Sequence, residues 1–160
     1  MSIYIVALLI GVVAGMRAFV APAAVSWAAR FGLLHVGGTW ASFMASVWAV
    51  GAFSILTLVE FVTDTLPNTP SRKVAKQLIP RLFSGGFAGA VIGAAAGTTG
   101  VVGGLILGVA GAAIGTFVGY EFRSRLVAAI GGKDLPIAIL EDVLAVAIAA
   151  VALFVVLGAN

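Results

Sequence analysis

Arg17 is the first charged residue of this chain, and it stands in "GMRAFVAP", within an apolar run from Ile3 to Ala29. A guanidinium at mid-membrane depth costs several kcal/mol and persists only where it faces a partner or a water-filled cavity. Pro22 follows in the same run. It cannot donate to the carbonyl of Ala18, and its ring crowds that turn, so the spacing predicts a kink or break between Arg17 and Pro22. A second half-helix starting near Pro22 aims its first amides toward Arg17. Arginine beside a helix N-terminus suits an anion, which makes Arg17, Ala18 and Pro22 candidates for binding an anionic group. The competing reading is an internal salt bridge or a snorkelling side chain.

The second constellation is acidic. Glu60 and Asp64 are four residues apart at the end of an apolar segment and so share a helical face. Glu141 and Asp142 follow the helix-starting "DLP" late in the chain. Carboxylates gathered at one depth hold a cation or relay protons, or they pair with Arg72, Arg81, Arg123 or Arg125 at the interface. Asp64, followed by "TLPNTP", also suits a simple turn. His35 is the single histidine and is expected as an exposed loop residue rather than a metal ligand. Glu121, Arg123 and Arg125 read as an interfacial cluster anchoring the fourth segment.

Cysteine is absent, which removes disulfides, thiolate metal sites and cysteine nucleophiles. The sequence has no Ser/His/Asp set, His-rich metal box or dinucleotide fingerprint, and its repeated glycines lack the "GK[ST]" of a phosphate-binding loop. No enzyme activity and no cofactor are expected.

These residues are carried by an unusually apolar chain. Of its 160 residues 62% are hydrophobic and 9% charged, with a mean hydropathy of +1.20. Soluble domains carry roughly a quarter charged residues, so the expected class is an all-α polytopic membrane bundle in a single domain, residues 1–160, with the bilayer as its first partner. Five apolar segments stand out: Ile3 to Ala29, Trp40 to Val62, Leu82 to Gly97, Val101 to Tyr120 and Leu135 to Leu157. The first is too long for one straight span, so it tilts, breaks or re-enters. The N-terminus lacks a basic n-region, and the first segment reads as a retained span rather than a cleaved signal.

If all five segments cross, Arg72, Lys73, Lys76, Arg81, Arg123, Arg125 and Lys133 share one side and Arg30 stands alone on the other. The bias of basic residues toward the cytoplasm then predicts a cytoplasmic N-terminus and an external C-terminus. The net charge of +3 is assigned to this orientation signal, and no nucleic-acid partner is expected. Gly85, Gly89, Gly93 and Gly97 recur every four residues, and Gly111, Gly115 and Gly119 repeat the pattern. Rows of this kind predict close packing of segments three and four, or contact across a homo-oligomer.

The combination of "GMRAFVAPAAVSWAA", "LVEFVTDTLPNTPSR", "RLFSGGFAGAVIGAA" and "LPIAILEDVLAVAIA" resembles a bacterial membrane family catalogued as domain of unknown function 4126. Arg17, Pro22, Glu60, Asp64, Pro67, Arg72, Glu141 and Asp142 match its pattern. The resemblance implies membership and membrane location but no mechanism. The functional expectation comes from the residues: a small secondary transporter or channel-like permease of the bacterial inner membrane, moving a small solute or ion. Arg17 and the broken backbone would orient an anionic group, and Glu60, Asp64, Glu141 and Asp142 would couple a proton or cation. The alternative is a non-transporting scaffold or lipid-interacting protein whose buried charges are structural ion pairs.

Overall fold

The computed structural model of the chain describes residues 3–64, 75–129, 131 and 134–155. Arg72, Lys73, Lys133 and Pro67 lie outside the described residues, as does the side chain of Lys76. Among those described the chain is all-helical: α1 (Ile3–Met16), α2 (Val20–Arg30), a 3-10 segment (Trp40–Ala45), α3 (Val47–Thr63), α4 (Ala75–Ala94), α5 (Thr98–Ala129) and α6 (Asp134–Ala150), which ends in a π turn (Val151–Val155).

The first apolar segment is two helices, not one. The break covers Arg17 to Phe19, and Pro22 falls at the third position of α2 rather than ahead of it. Its missing N–H is one that the first turn leaves unbonded anyway, so the proline is accommodated inside the helix start. The two helices then diverge in direction. Tyr4, near the start of α1, lies against Gly103 near the start of α5, while Ala14 lies beside Gly85 at the middle of α4. From Arg17 the chain turns back: in α2 the Ser26 hydroxyl donates to the Met44 carbonyl at 2.6 Å, and Trp27 Nε1 donates to Ser54 Oγ at 3.1 Å. Phe31, just past α2, meets Phe154 at the end of α6, ring centroids 6.0 Å apart. α1 and α2 therefore form a helical hairpin with Arg17 at its tip, and the first segment doubles back.

Glycine makes the inner layer possible. α4 and α5 are antiparallel around a turn closed by Gly97 at φ 96°, a conformation that disfavours any residue with a Cβ. A Cβ placed on Gly93, Gly89 or Gly85 would run into the backbone carbonyl oxygen of Gly100, Gly104 or Gly108. The second glycine row has a different partner from the one the sequence suggests. Cβ atoms on Gly111 and Gly115 would strike the carbonyl oxygens of Leu8 and Val12 in α1, which runs parallel to α5. Three backbones thus meet at near-contact distance, where dispersion between main-chain atoms replaces side-chain interdigitation.

α2, α3 and α6 pack on the other side of this trio. Side-chain oxygens define the entry to α3: Thr39 Oγ1 accepts from the Ala41 amide at 3.2 Å, and Ser46 Oγ accepts from the Ala49 amide at 3.1 Å, each satisfying a donor that a helix start leaves open. α4 begins earlier than the apolar run suggests and contains Pro80. α5 extends to Ala129, well past the predicted Tyr120. At 32 residues it is about 48 Å long.

Candidate functional site

The hairpin tip collects the charges that the sequence scatters over four segments. Arg17 is 0% exposed. Its Nη1 pairs with Asp64 at the end of α3, and its Nε pairs with Asp142 in α6. The guanidinium also stands 5.8 Å from the ring centroid of Phe61, one α3 turn before Asp64. Helical spacing puts Phe61 and Asp64 on a common face, so one element supplies both the ion-pair and the aromatic contact. Nη2 of Arg17 is buried and makes no hydrogen bond to a described residue.

Glu60 does what an external anion was expected to do. Its Oε1 accepts from the Ala18 amide at 2.6 Å, and its Oε2 accepts from the Phe19 amide at 2.8 Å. Phe19 supplies no side-chain cap to α2, so this bidentate carboxylate from α3 takes over the negative charge that a helix N-terminus favours. The Ala18 amide is thereby engaged by a carboxylate of the same chain. Among the described residues Pro22 makes no hydrogen bond to the charged groups; it lies at the start of α2.

Arg81, one of the basic partners expected for the carboxylates, completes the tip together with Ser84 and Thr116, which the sequence reading left aside. Arg81, in α4 and 2% exposed, donates to the Gly15 carbonyl at 2.9 Å and to the Met16 carbonyl. It also lies 3.6 Å from Asp64 and 4.0 Å from Glu60. The Ser84 hydroxyl donates to the Ala18 carbonyl, and the Thr116 hydroxyl, shared with the Ala112 carbonyl at 2.8 Å, reaches the Gly15 carbonyl at 3.2 Å. The last carbonyls of α1 have no intrahelical partner, and these side chains from α4 and α5 receive them. Arg81, Ser84, Gly85 and Ala88 follow a three- and four-residue spacing, which is the signal that would have placed Arg81 on the inner face of α4.

Glu141 is separated from its sequence neighbour Asp142 in role. It is 3% exposed and takes Arg123 of α5 at 3.3 Å. Arg125 pairs with Glu121 one turn away at 2.9 Å, both exposed, an arrangement worth a few tenths of a kcal/mol at most. His35 is exposed in the loop after α2. Among the described residues no three His, Asp or Glu side chains are grouped so as to hold a metal ion.

What this arrangement does chemically is hold a bent backbone. Ion pairs and hydrogen bonds converge on the three residues between α1 and α2 from α3, α4 and α6, so the tip is fixed by polar contacts where it lacks its own helical bonds. No curated protein and no solved structure matches the chain. The family model described as Domain of unknown function (DUF4126) matches residues 4–159, nearly the whole length, and the chain belongs to that family.

Proposed function

We propose that this is a membrane-embedded scaffold or lipid-interacting protein in which the buried charges lock a helical hairpin, rather than a permease that uses them to bind solute. The observation that carries the reading is the closure of the site upon itself. Arg17 is spent on Asp64 and Asp142, and the amides beside it are spent on Glu60.

The membrane part of the proposal rests on an inverted distribution of polarity. Arg17, Arg81 and Glu141 are buried, while Trp48 is 88% exposed and Phe83 76% exposed. Further large apolar side chains, among them Ile106, Val118 and Leu58, are also exposed. Such a surface is stable against hydrocarbon and costly against water. α5 and the stretch Leu135–Phe154 are long and apolar enough to cross a bilayer. The bacterial inner membrane fits the basic end lying in the cytoplasm. Since α1 starts at the end opposite Arg81 and Arg123, the same rule now puts the N-terminus outside, reversing the orientation predicted for five full crossings.

Transport keeps one supporting observation. Among the described residues, Glu60, Asp64 and Asp142 outnumber Arg17 and Arg81, the guanidinium groups within ion-pair reach of them. A bound proton or cation would balance that excess. Reconstitution into liposomes with a pH-sensitive dye and with radiolabelled monovalent cations separates the readings. The lock reading expects leak rates equal to empty liposomes for the native protein, and Arg17→Gln to lower the yield of folded protein. A flux above background that Asp142→Asn abolishes, with folding intact, overturns it in favour of coupled transport.

A further inference from the structure

A groove of about 450 Å³ runs between α2, α3 and α6, on the face of the hairpin away from α5. Its α2 wall is one helical stripe, Val20, Ala23, Ala24 and Trp27, continued by Phe31, at spacings of three and four. Opposite stand Ala149 and Ala150 of α6. Small side chains on both facing helices leave the space unfilled, and larger ones guard its far end, where Phe31 meets both Trp27 at 5.3 Å and Phe154 at 6.0 Å between ring centroids.

The polar atoms on the walls are turned to the protein. Ser54 Oγ accepts from Trp27 Nε1 at 3.1 Å, and the Thr57 hydroxyl donates to the Phe53 carbonyl at 2.9 Å. The occupant therefore meets hydrocarbon. From Val20 to Phe31 the groove follows α2 for about 16 Å, close to the depth of one leaflet in a hydrocarbon core about 30 Å thick. That length and the apolar lining suit an extended hydrocarbon chain.

Charge selects the class of chain. Arg30, exposed, lies seven residues after Ala23 and so almost directly above it on the edge of the same stripe. Among the described residues it is the basic side chain at this end, remote from Arg81, Arg123 and Arg125. We infer that the groove holds an acyl chain of an anionic phospholipid from the leaflet opposite the charge cluster, with the lipid phosphate at Arg30. This deepens the lipid-interacting reading above and depends on the chain being in a membrane.

The test uses tryptophan fluorescence, because Trp27 lines the groove. The variant Trp40→Phe with Trp48→Phe leaves Trp27 as the sole reporter, and Trp27→Phe with Trp40→Phe leaves Trp48, on the outer surface. Both full-length proteins are placed in phosphatidylcholine vesicles carrying phosphatidylglycerol or phosphatidylcholine brominated on the acyl chains. Trp27 is expected to be quenched at about fivefold lower mole fraction of the brominated anionic lipid than of the neutral one, the factor one arginine near a membrane surface supplies. Trp48 is expected to show no such preference. Arg30→Gln should abolish the preference, and Ala24→Phe, or Ala150→Leu from the opposite wall, should remove most of the quenching of Trp27 while leaving Trp48 quenched.

If Trp48 is not quenched in any vesicle, the membrane reading itself fails. If Trp48 is quenched but Trp27 is not, or if filling the groove from either wall leaves Trp27 quenching unchanged, the membrane reading stands and the bound chain is refuted. Equal quenching of Trp27 by both lipids, unaffected by Arg30→Gln, overturns the assignment of an anionic headgroup.

Discussion

Arg17 is held by opposite charges it cannot lose singly. Removing the buried Arg17 guanidinium takes away the partner of Asp142 and leaves Asp64 with Arg81 at 3.6 Å, and breaking a buried pair in this way costs about 3–5 kcal/mol. Arg17→Gln should therefore lower the midpoint of thermal unfolding in detergent steeply. Replacing the three charges together, with Arg17→Met, Asp64→Leu and Asp142→Leu, should recover most of the loss if the role is structural, because apolar groups of similar volume need no desolvation. Ser84→Ala isolates a smaller contribution: the Ala18 carbonyl loses its hydroxyl donor, with an expected cost of about 1 kcal/mol in a denaturant titration of the same protein. At this scale Arg17, Glu60 and Asp64 were legible because a charge inside or at the end of an apolar run is conspicuous in one dimension. Arg81 was not. It heads its run directly after Pro80, which reads as a membrane border, and only the start of α4 before that proline turns it inward. The helix N-terminus was expected as an anion site, and the anion proved to be Glu60; linear sequence carries no sign of a partner 42 residues away.

Among the elements, α5 depends most on what its residues lack. Gly104 and Gly89 face each other so closely that a methyl on either meets the other's carbonyl oxygen. Backbone cannot step aside as a flexible side chain can, so Gly104→Ala should separate α4 from α5 and destabilise by about 1–3 kcal/mol. Gly51 in α3 is the control, since a Cβ there would meet nothing within 4 Å. Gly51→Ala should be neutral or stabilising by about 0.5–1 kcal/mol through helix propensity alone. Unfolding of both variants in one detergent measures the difference, and equal effects would refute the close-approach account. Apolar run length made the segments legible, but the first holds two helices and the second a 3-10 segment followed by α3. The ends of α4 and α5 were missed by seven and nine residues, because both helices continue through charged residues that face solvent or partners. Of the first row, Gly85, Gly89 and Gly93 lie against α5 while Gly97 sits in the turn, and Gly111 and Gly115 of the second row serve α1, a contact no spacing rule within segments three and four contains.

For the molecule as a whole, the hairpin changes the number of passes between the two ends. Counting Ile3 to Ala29 as one crossing puts the N-terminus with the basic residues; folding it at Arg17 puts the start of α1 beside the start of α5, at the opposite end. Length alone could not decide, since 14 residues of α1 and 11 of α2 are about 21 Å and 16 Å, each short of a full crossing, while their sum suits a tilted or bent rod. What decides is the tip: the outward pull of solvation on Arg17 is cancelled by Asp64 and Asp142, so the chain reverses there instead of continuing to the interface. The absence of cysteine makes the consequence directly measurable. Ile3→Cys, Thr98→Cys and Ser124→Cys, made singly, can be labelled with a membrane-impermeant maleimide in intact spheroplasts and after permeabilisation. The hairpin expects Ile3→Cys to behave like Thr98→Cys, both labelled from outside, and Ser124→Cys to require permeabilisation. Co-labelling of Ile3→Cys with Ser124→Cys would mean that the first segment crosses once, and the lock at Arg17 would then join two halves of a single bent span.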